Sequence, residues 1–155
     1  MIDGPDSDSH FALWEGVMPR RAAPPLHSHP QAETFYVIEG EVTIYIVPEA
    51  EIDVPEEGRA PRWLETHAAR LGPGDVASAP GGLPHSFFVE SDTARLLFLS
   101  TPAGIEEYRD AFAEEAAWPW LPAPAEGPRI SAEKMAHVER ELSMIRHGPS
   151  PGAFR

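Results

Sequence analysis

The segment at residues 25–42, PLHSHPQAETFYVIEGEV, combines metal-binding side chains with the pattern of a β-hairpin. His27 and His29 are two residues apart, and on an extended segment such positions point to the same face. Glu33 follows shortly after them. The β-branched and aromatic residues at 34–38, the EGE turn at 39–41 and the apolar run VTIYIV at 42–47 predict two paired strands.

A second segment, GPGDVASAPGGLPHSFF at residues 72–88, contains short strands separated by Gly and Pro turns. Together with apolar runs near the start of the chain and after residue 90, it predicts strands at 11–18, 76–80, 85–89 and 95–100. Closely spaced short strands indicate a small antiparallel sandwich or barrel. Such a fold can bring His85 to the residues near position 30.

Three imidazole nitrogens and one carboxylate oxygen form a borderline donor set that suits a divalent first-row transition metal. The candidate ligands are His27, His29, Glu33 and His85. An isolated His-x-His pair is more often structural, so it is the second segment that favours a metal site. Imidazole suits iron, manganese, nickel, copper and zinc, and the sequence leaves the metal open. The other histidines are predicted to face solvent: His10, His67, His137 and His147.

Composition excludes several classes of function. The chain has 155 residues, of which 42% are hydrophobic, and this favours one domain with a packed core. A net charge of −13 repels nucleic acids and anionic lipid surfaces. The absence of cysteine excludes disulfides and thiolate ligands. With no long apolar run and an acidic N-terminal segment, we expect a cytoplasmic protein whose partner is a small molecule, not a membrane.

Both segments carry the signature of a known superfamily. The first resembles cupin motif 1, in which His-x-His is followed by Glu and then Gly. The second resembles cupin motif 2, in which Gly is followed by Pro-x-Gly and His. The matching positions are His27, His29, Glu33, Gly40, Gly74, Pro80, Gly82 and His85. Arg21 replaces the glycine that opens motif 1 and Val89 the asparagine that closes motif 2, but neither position carries the metal in the family.

The resemblance implies an all-β fold, namely a cupin-type antiparallel β-barrel (jelly-roll) with C-terminal α-helices and with the four ligands at its mouth. We expect a flexible tail at residues 1–10, the barrel at 11–101 and a helical extension at 102–155. The segment TPAGIEEY at 101–108 resembles the corresponding part of small bacterial quercetinase-like cupins. Because cupins commonly pair through their sheets and two-fold symmetry is common, a homodimer is expected.

Outside the barrel the pattern is helical. Thr101 and Pro102 predict the start of a helix with Ile105, Tyr108, Phe112 and Ala116 on one face. Ser131 is predicted to cap a second helix whose stripe is Met135, Val138, Leu142 and Ile145, followed by a frayed end at 147–155. Residues 48–68 are predicted to form an inserted loop with a short strand around Trp63.

Strand alternation suggests a substrate pocket. Phe35 and Val37 share the side of Glu33, and Phe87 and Val89 share the side of His85. An apolar cavity lined by these four residues suits a flat ring, although the same residues would serve equally as barrel core. Glu33 is the one carboxylate in the set, and we predict that it is also the general base.

The likeness implies a metal-dependent oxidoreductase, a dioxygenase acting on a phenolic or enolic small molecule. The enolate would react with dioxygen, and a carbon–carbon bond would break. Formation of the same enolate would also serve a non-oxidative cyclase or isomerase of the aromatic polyketide type. A ligand-binding or sensing module is a third interpretation, disfavoured because the sequence shows no DNA-binding segment.

Overall fold

Alternating apolar residues build two antiparallel sheets that face each other across a shared core. The structure is a computed structural model that describes residues 1–53, 55–56, 59–112 and 132–155. One sheet has the order β1 (Ala12–Pro19), β8 (Thr93–Thr101), β3 (Ala32–Glu39) and β6 (Val76–Ala79). The other has the order β5 (Ala68–Leu71), β4 (Val42–Ile46), β7 (His85–Val89), β2 (Leu26–Ser28) and β9 (Ile145–Gly148). This architecture confirms the predicted all-β jelly-roll barrel.

The described helices are short. They are α1 (Trp63–Thr66), α2 (Glu106–Phe112) and α3 (Ala132–Glu141), with single 3-10 turns at Gly4–Ser7, Glu49–Glu51 and Pro151–Phe154. The C-terminal helices expected with the barrel are therefore present. None of the helices in the described ranges is long and apolar enough to cross a membrane.

The barrel interior is filled by the inward positions of both sheets. Along β8 the buried residues alternate, and Phe98 stacks on Trp14 of β1 with ring centroids 5.4 Å apart. From the opposite sheet, Ile44 and Val89 enter the same cluster. Burying side chains of this size contributes about 1.5–3 kcal/mol each and fixes the strand register.

The insertion covers the outer face of the five-stranded sheet. Trp63 lies in helix α1, not in the predicted short strand, and it is 1% exposed. Its ring packs edge-on against Tyr45, with centroids 5.6 Å apart. The Asp53 carboxylate accepts a hydrogen bond from the backbone N–H of Arg62 at 3.0 Å, which stabilises the first turn of this helix. The predicted strand was wrong, because Trp63 lies in a helix that packs on the outer face of the five-stranded sheet and does not pair with its strands.

The C-terminal region differs most from the prediction. Helix α2 begins at Glu106 and not near Thr101, because Thr101 still pairs with Ala32 in the sheet. Ile145, predicted on a helical stripe, lies in strand β9 opposite Ser28, since Ser143 adopts a left-handed φ of 51° and ends the helical path. The predicted placements of Ala116, the Ser131 cap and the side chains of Phe112 and Met135 lie outside the described residues.

The two ends of the chain are also packed. Strand β9 and the turn Pro151–Phe154 occupy the segment expected to fray. At the other end, residues 1–10 differ from the expected flexible tail, because Ile2 bridges to Leu13 and Asp3 pairs with Arg109 at 2.9 Å. The backbone N–H of Gly4 donates to Glu106 at 2.8 Å. These contacts hold helix α2 against one end of the barrel.

Candidate metal centre

Two neighbouring strands bring the three histidines together. His27 on β2 lies directly opposite His85 on β7, and His29 follows two residues later on the same face. One ring nitrogen from each of the three lies within 4.8 Å of the other two, and all three side chains are buried. The structure therefore joins residues from the two sequence segments as expected, in one buried cluster that can hold a metal ion.

A tight turn holds His29 at the end of its strand. The backbone N–H of Gly82 donates to the carbonyl oxygen of His29 at 2.8 Å, and Gly82 has a φ of +79°. At Gly81 a Cβ atom would come within 2.2 Å of the Pro30 oxygen. Only glycine fits this approach, which explains why the turn that precedes His85 is rich in glycine.

Backbone carbonyls fix the tautomer of two of the rings. His27 Nδ1 donates to the carbonyl oxygen of Pro25 at 2.8 Å, and His85 Nδ1 donates to that of Leu83 at 2.8 Å. Because a carbonyl can only accept, each Nδ1 carries a proton, and a neutral ring then presents an Nε2 lone pair. Hydrogen bonds of this kind orient metal-binding imidazoles in proteins.

Glu33 completes the cluster from the facing sheet. Its Oε2 lies 3.2 Å from His85 Nε2 and 3.5 Å from His29 Nε2. A lone pair and a carboxylate oxygen at such distances repel each other unless a proton or a cation lies beside them. Neither ring nitrogen of His29 has a hydrogen-bond partner among the described residues, although both are buried. The unsatisfied nitrogens and the carboxylate fit a bound metal cation.

The electrostatics suit the same interpretation. Burial lowers the pKa of His27 to about 4, so this ring is neutral at pH 7. Burial raises the pKa of Glu33, but the contacts with His29 and His85 outweigh it and lower the pKa to about 2. Metals bind neutral imidazole and ionised carboxylate, and at neutral pH His27 has the first form and Glu33 the second. Nitrogen and oxygen donors of this kind suit a divalent first-row metal.

The four residues predicted to line a pocket lie in the barrel interior. Phe35 is closest to the cluster, with its ring centroid 6.2 Å from that of His85 and 6.3 Å from that of Phe87. Val37 and Val89 are both fully buried and pack in the main core. Phe87 is only partly buried. Phe35 therefore lies beside the histidines but is a buried core residue like the two valines, and the partly buried Phe87 packs against it.

The sequence places Tyr108 either in a lid over the barrel or, as the favoured alternative, in packing on its outside; the structure places it next to the cluster. Its ring lies over His27, with centroids 5.9 Å apart, and burial raises its pKa to about 12, so the phenol stays protonated at neutral pH. The helical periodicity placed Tyr108 on an apolar face, but it did not identify His27 as the residue that this face contacts.

Ser100 was missed, although the signal was present. In RLLFLS at 95–100, Ser100 has the same parity as the apolar residues Leu96 and Phe98, and its side chain is fully buried. It lies opposite Glu33 in the register between β8 and β3. A polar residue at a core position of a strand is a candidate for function.

Two of the remaining histidines have side-chain partners. His147 Nε2 lies 2.8 Å from Ser28 Oγ, and His67 Nε2 lies 2.9 Å from Glu51. His67 and His147 are both partly buried, so the prediction that they face solvent was wrong. The insertion packs His67 against Glu51, and β9 carries His147 onto the sheet.

A cleft of about 630 Å³ lies elsewhere, between the insertion and the C-terminal turn. Arg62, Leu64 and Phe154 are among its lining residues, and no residue of the histidine cluster lines it. The convergent donors, not this cleft, mark the candidate site.

Comparison with known proteins agrees with this geometry. The Cupin_2 family of cupin domains matches residues 13–102. Dimethylsulfoniopropionate lyase DddQ from Ruegeria pomeroyi is 31% identical over 83 residues, which are 54% of this chain and 33% of the lyase. The chain thus spans about a third of the length of that relative.

Solved structures give similar matches. A Mn(II)-containing oxalate decarboxylase from Bacillus subtilis is 25% identical with a TM-score of 0.52, and the match covers 69% of this chain and 26% of the other. The polyketide cyclase RemF from Streptomyces resistomycificus is 26% identical with a TM-score of 0.47, covering 64% and 60%. Since the family match takes in more than half of the residues, including all four candidate ligands, the chain belongs to the cupin domain family.

Proposed function

We propose that the chain is a metal-dependent enzyme, a quercetinase-like dioxygenase acting on a small phenolic or enolic molecule. His27, His29, Glu33 and His85 would hold one divalent transition metal ion, which is iron, manganese, nickel, copper or zinc. The observation that carries the proposal is the buried set of imidazole lone pairs facing the Glu33 carboxylate, without hydrogen-bond partners for His29 among the described residues.

Each residue of the site would have a separate role in the reaction. A metal bound to this set supplies Lewis acidity toward an enol or phenol oxygen. Glu33, which is ionised at neutral pH, would accept the hydroxyl proton of the substrate. Phe35 and Phe87, whose rings meet edge-on at 61°, would supply apolar contacts for the ring near His85. In the oxidative reaction the deprotonated molecule then reacts with dioxygen, and a carbon–carbon bond breaks.

Elemental analysis and oxygen uptake test this proposal. We expect about one divalent transition metal per chain, and we expect quercetin to be consumed with uptake of dioxygen. Chelation should abolish both consumption and uptake, and return of the metal should restore them. A preparation that binds no metal, or one that leaves quercetin unchanged when metal-loaded, would contradict it.

A non-oxidative reaction at the same site is the second candidate. The 31% identity to a lyase over 83 residues favours it, because a lyase breaks a bond without consuming oxygen. Metal-assisted proton abstraction by Glu33 would then lead to elimination, cyclisation or isomerisation. Turnover that proceeds unchanged under strictly anaerobic conditions would select this candidate over the dioxygenase.

We also propose a homodimer. The outer face of the four-stranded sheet exposes Val17, Tyr36 and Val76, at 42%, 41% and 57% of their surface. These residues lie on β1, β3 and β6 of one sheet. Among the described residues no element covers them, and a second copy of the same sheet would bury apolar surface on both chains.

A further inference from the structure

The four candidate metal ligands are closed off from solvent. Their exposed fractions are 1% for His29, 2% for His85, 5% for His27 and 7% for Glu33. A substrate that contacts the metal has to reach these side chains, and residues of such low exposure offer almost no surface to a molecule outside the barrel. Part of the protein must therefore move before a substrate can enter.

Helix α2 lies over the cluster and is the element best able to move. Its Tyr108 stacks on His27 with an angle of 23° between the two rings. Among the described residues, Tyr108 is the one aromatic side chain outside the strands whose ring contacts a ligand ring. A strand leaves a barrel only by breaking its ladder of hydrogen bonds. A helix of seven residues is not stable by itself, so its position depends on the contacts that hold it.

The N-terminal segment, residues 1–10, supplies contacts that hold α2. Arg109 donates a hydrogen bond to Asp3 at 2.9 Å, and Glu106 accepts one from the backbone N–H of Gly4 at 2.8 Å. The Arg109 guanidinium also lies over the ring of Trp14, 5.7 Å from its centroid. The Asp3 side chain is 37% exposed, so water competes for this ion pair and limits its strength. The pair can therefore break while the barrel stays folded.

We propose that α2 is a gate over the metal centre and that the ion pair of Asp3 and Arg109 is its latch. While the pair is intact, Tyr108 covers His27 and closes this side of the cluster. When the pair breaks, α2 carries Tyr108 away from His27, and a small molecule can reach the ligands. The inference rests on the metal centre of the proposed function but not on the reaction that takes place there.

The rate at which a chelator removes Co(II) reports on the gate. Phenanthroline is a suitable chelator because it is uncharged, and the net charge of −13 does not repel it. We expect Asp3→Asn to speed the removal of Co(II) about threefold and Arg109→Gln, which also loses the contact with Trp14, about fivefold. Asparagine can still cap the turn Gly4–Ser7, so the charge is the main loss at position 3.

Two further variants test whether the pair acts as a unit. The double variant Asp3→Asn, Arg109→Gln should be no faster than Arg109→Gln, because Asp3 has then already lost its partner. Asp3→Glu keeps the charge and should stay close to the wild-type rate. Effects of the two single variants that multiply in the double variant would overturn the assignment of the pair as one latch.

A matched variant controls for the loss of an ion pair as such. Glu41 pairs with Arg70 at 2.7 Å, just after the end of β3 that is remote from Glu33. Glu41→Gln should leave the rate of Co(II) removal unchanged. An equal acceleration by Glu41→Gln, or an unchanged rate in Arg109→Gln, would overturn the inference.

Hydrogen exchange of the metal-free protein gives a second measurement. The amides of Tyr108 and Arg109 donate to the carbonyl oxygen of Ile105 and should exchange about threefold faster in Asp3→Asn, whereas the amides of β3 and β7 should keep their rates. Faster exchange throughout the barrel, or no change in α2, would contradict a latch. If the protein binds no Co(II), the proposed metal centre fails, and exchange in α2 still decides whether Asp3 and Arg109 hold the helix.

Discussion

The backbone carbonyls of Pro25 and Leu83 determine which nitrogen of His27 and of His85 is free. This arrangement uses no additional side chain, because the chain before each histidine supplies the acceptor. The rings are thereby oriented before any ligand arrives, and the cost of ordering them is met during folding.

Buried His27 should make the stability of the metal-free protein depend on pH. Its pKa falls from 6.5 to about 4 in the folded state, because burial disfavours the charged ring. The contribution to stability is complete above pH 6.5 and is lost as the pH falls toward 4. The free energy of unfolding, measured with urea, should therefore decline more steeply between these pH values in the wild type than in His27→Gln. Equal slopes in the two proteins would contradict this account.

Replacing Glu33 with glutamine should show what its negative charge contributes apart from the size of its side chain. Glu33→Gln keeps the size of the side chain but removes the negative charge and the proton acceptor. We expect the dissociation constant for Co(II) to rise about tenfold or more and turnover to be lost, since even outer-shell changes cost that much affinity. Glu39→Gln, an exposed change on the same strand, is the control. A Glu33→Gln protein with normal metal binding and turnover would exclude both roles.

At the scale of elements, strand β9 is the feature that the sequence could not predict. Its residues, IRHG, lack the alternation of a strand, and its partner β2 lies well over a hundred positions earlier. Pairing at that separation depends on the whole fold, whereas sequence patterns report on neighbours. The same reason explains why α2 was predicted but its packing over His27 through Tyr108 was not.

The contact between Ser28 and His147 should stabilise this pair of strands. His147→Ala leaves the buried Ser28 hydroxyl without its partner, so we expect the free energy of unfolding to fall by about 1 kcal/mol. The double variant Ser28→Ala, His147→Ala should recover part of the loss, because both polar partners are then absent. Arg146→Gln, which removes an exposed ion pair with Glu139, should change stability by less than about 0.5 kcal/mol. If the double variant is no more stable than His147→Ala, the stabilising contact between Ser28 and His147 would be refuted.

For the whole molecule, the strands of the barrel and the grouping of His27, His29 and Glu33 were predictable because their signals are local, whereas His85 was joined to them by the resemblance to cupin motif 2. The pair His27 and His29 at a short strand and its end, Glu33 on the next strand, and the glycine turns before His85 each follow from two-residue periodicity and turn chemistry. The wrong expectations concern the two ends of the chain and the insertion, with Trp63 and His67, where long-range packing decides. Ser100 lay within reach of the sequence, as a hydroxyl in an otherwise apolar inward series.

The exposed apolar face of the four-stranded sheet predicts that the protein forms a dimer in solution. Light scattering should give twice the 17.0 kDa chain mass, and Tyr36→Glu should shift the protein to the monomer, because a charge in an apolar interface is left unpaired. With a net charge of −13 on each chain, dissociation should increase as the salt concentration falls. Asp92→Lys, an exposed change just before β8, should not alter the mass. A wild-type mass of one chain at all salt concentrations would exclude the dimer.

Strand β2 also has a consequence for biosynthesis. A ribosome produces all three clustered histidines long before it reaches residues 145–148, the strand that closes the outer side of β2. Until then, the nascent polypeptide presents an open hydrogen-bonding edge next to the clustered histidines. Interruption of synthesis before residue 145 would accordingly release a fragment prone to intermolecular β-pairing.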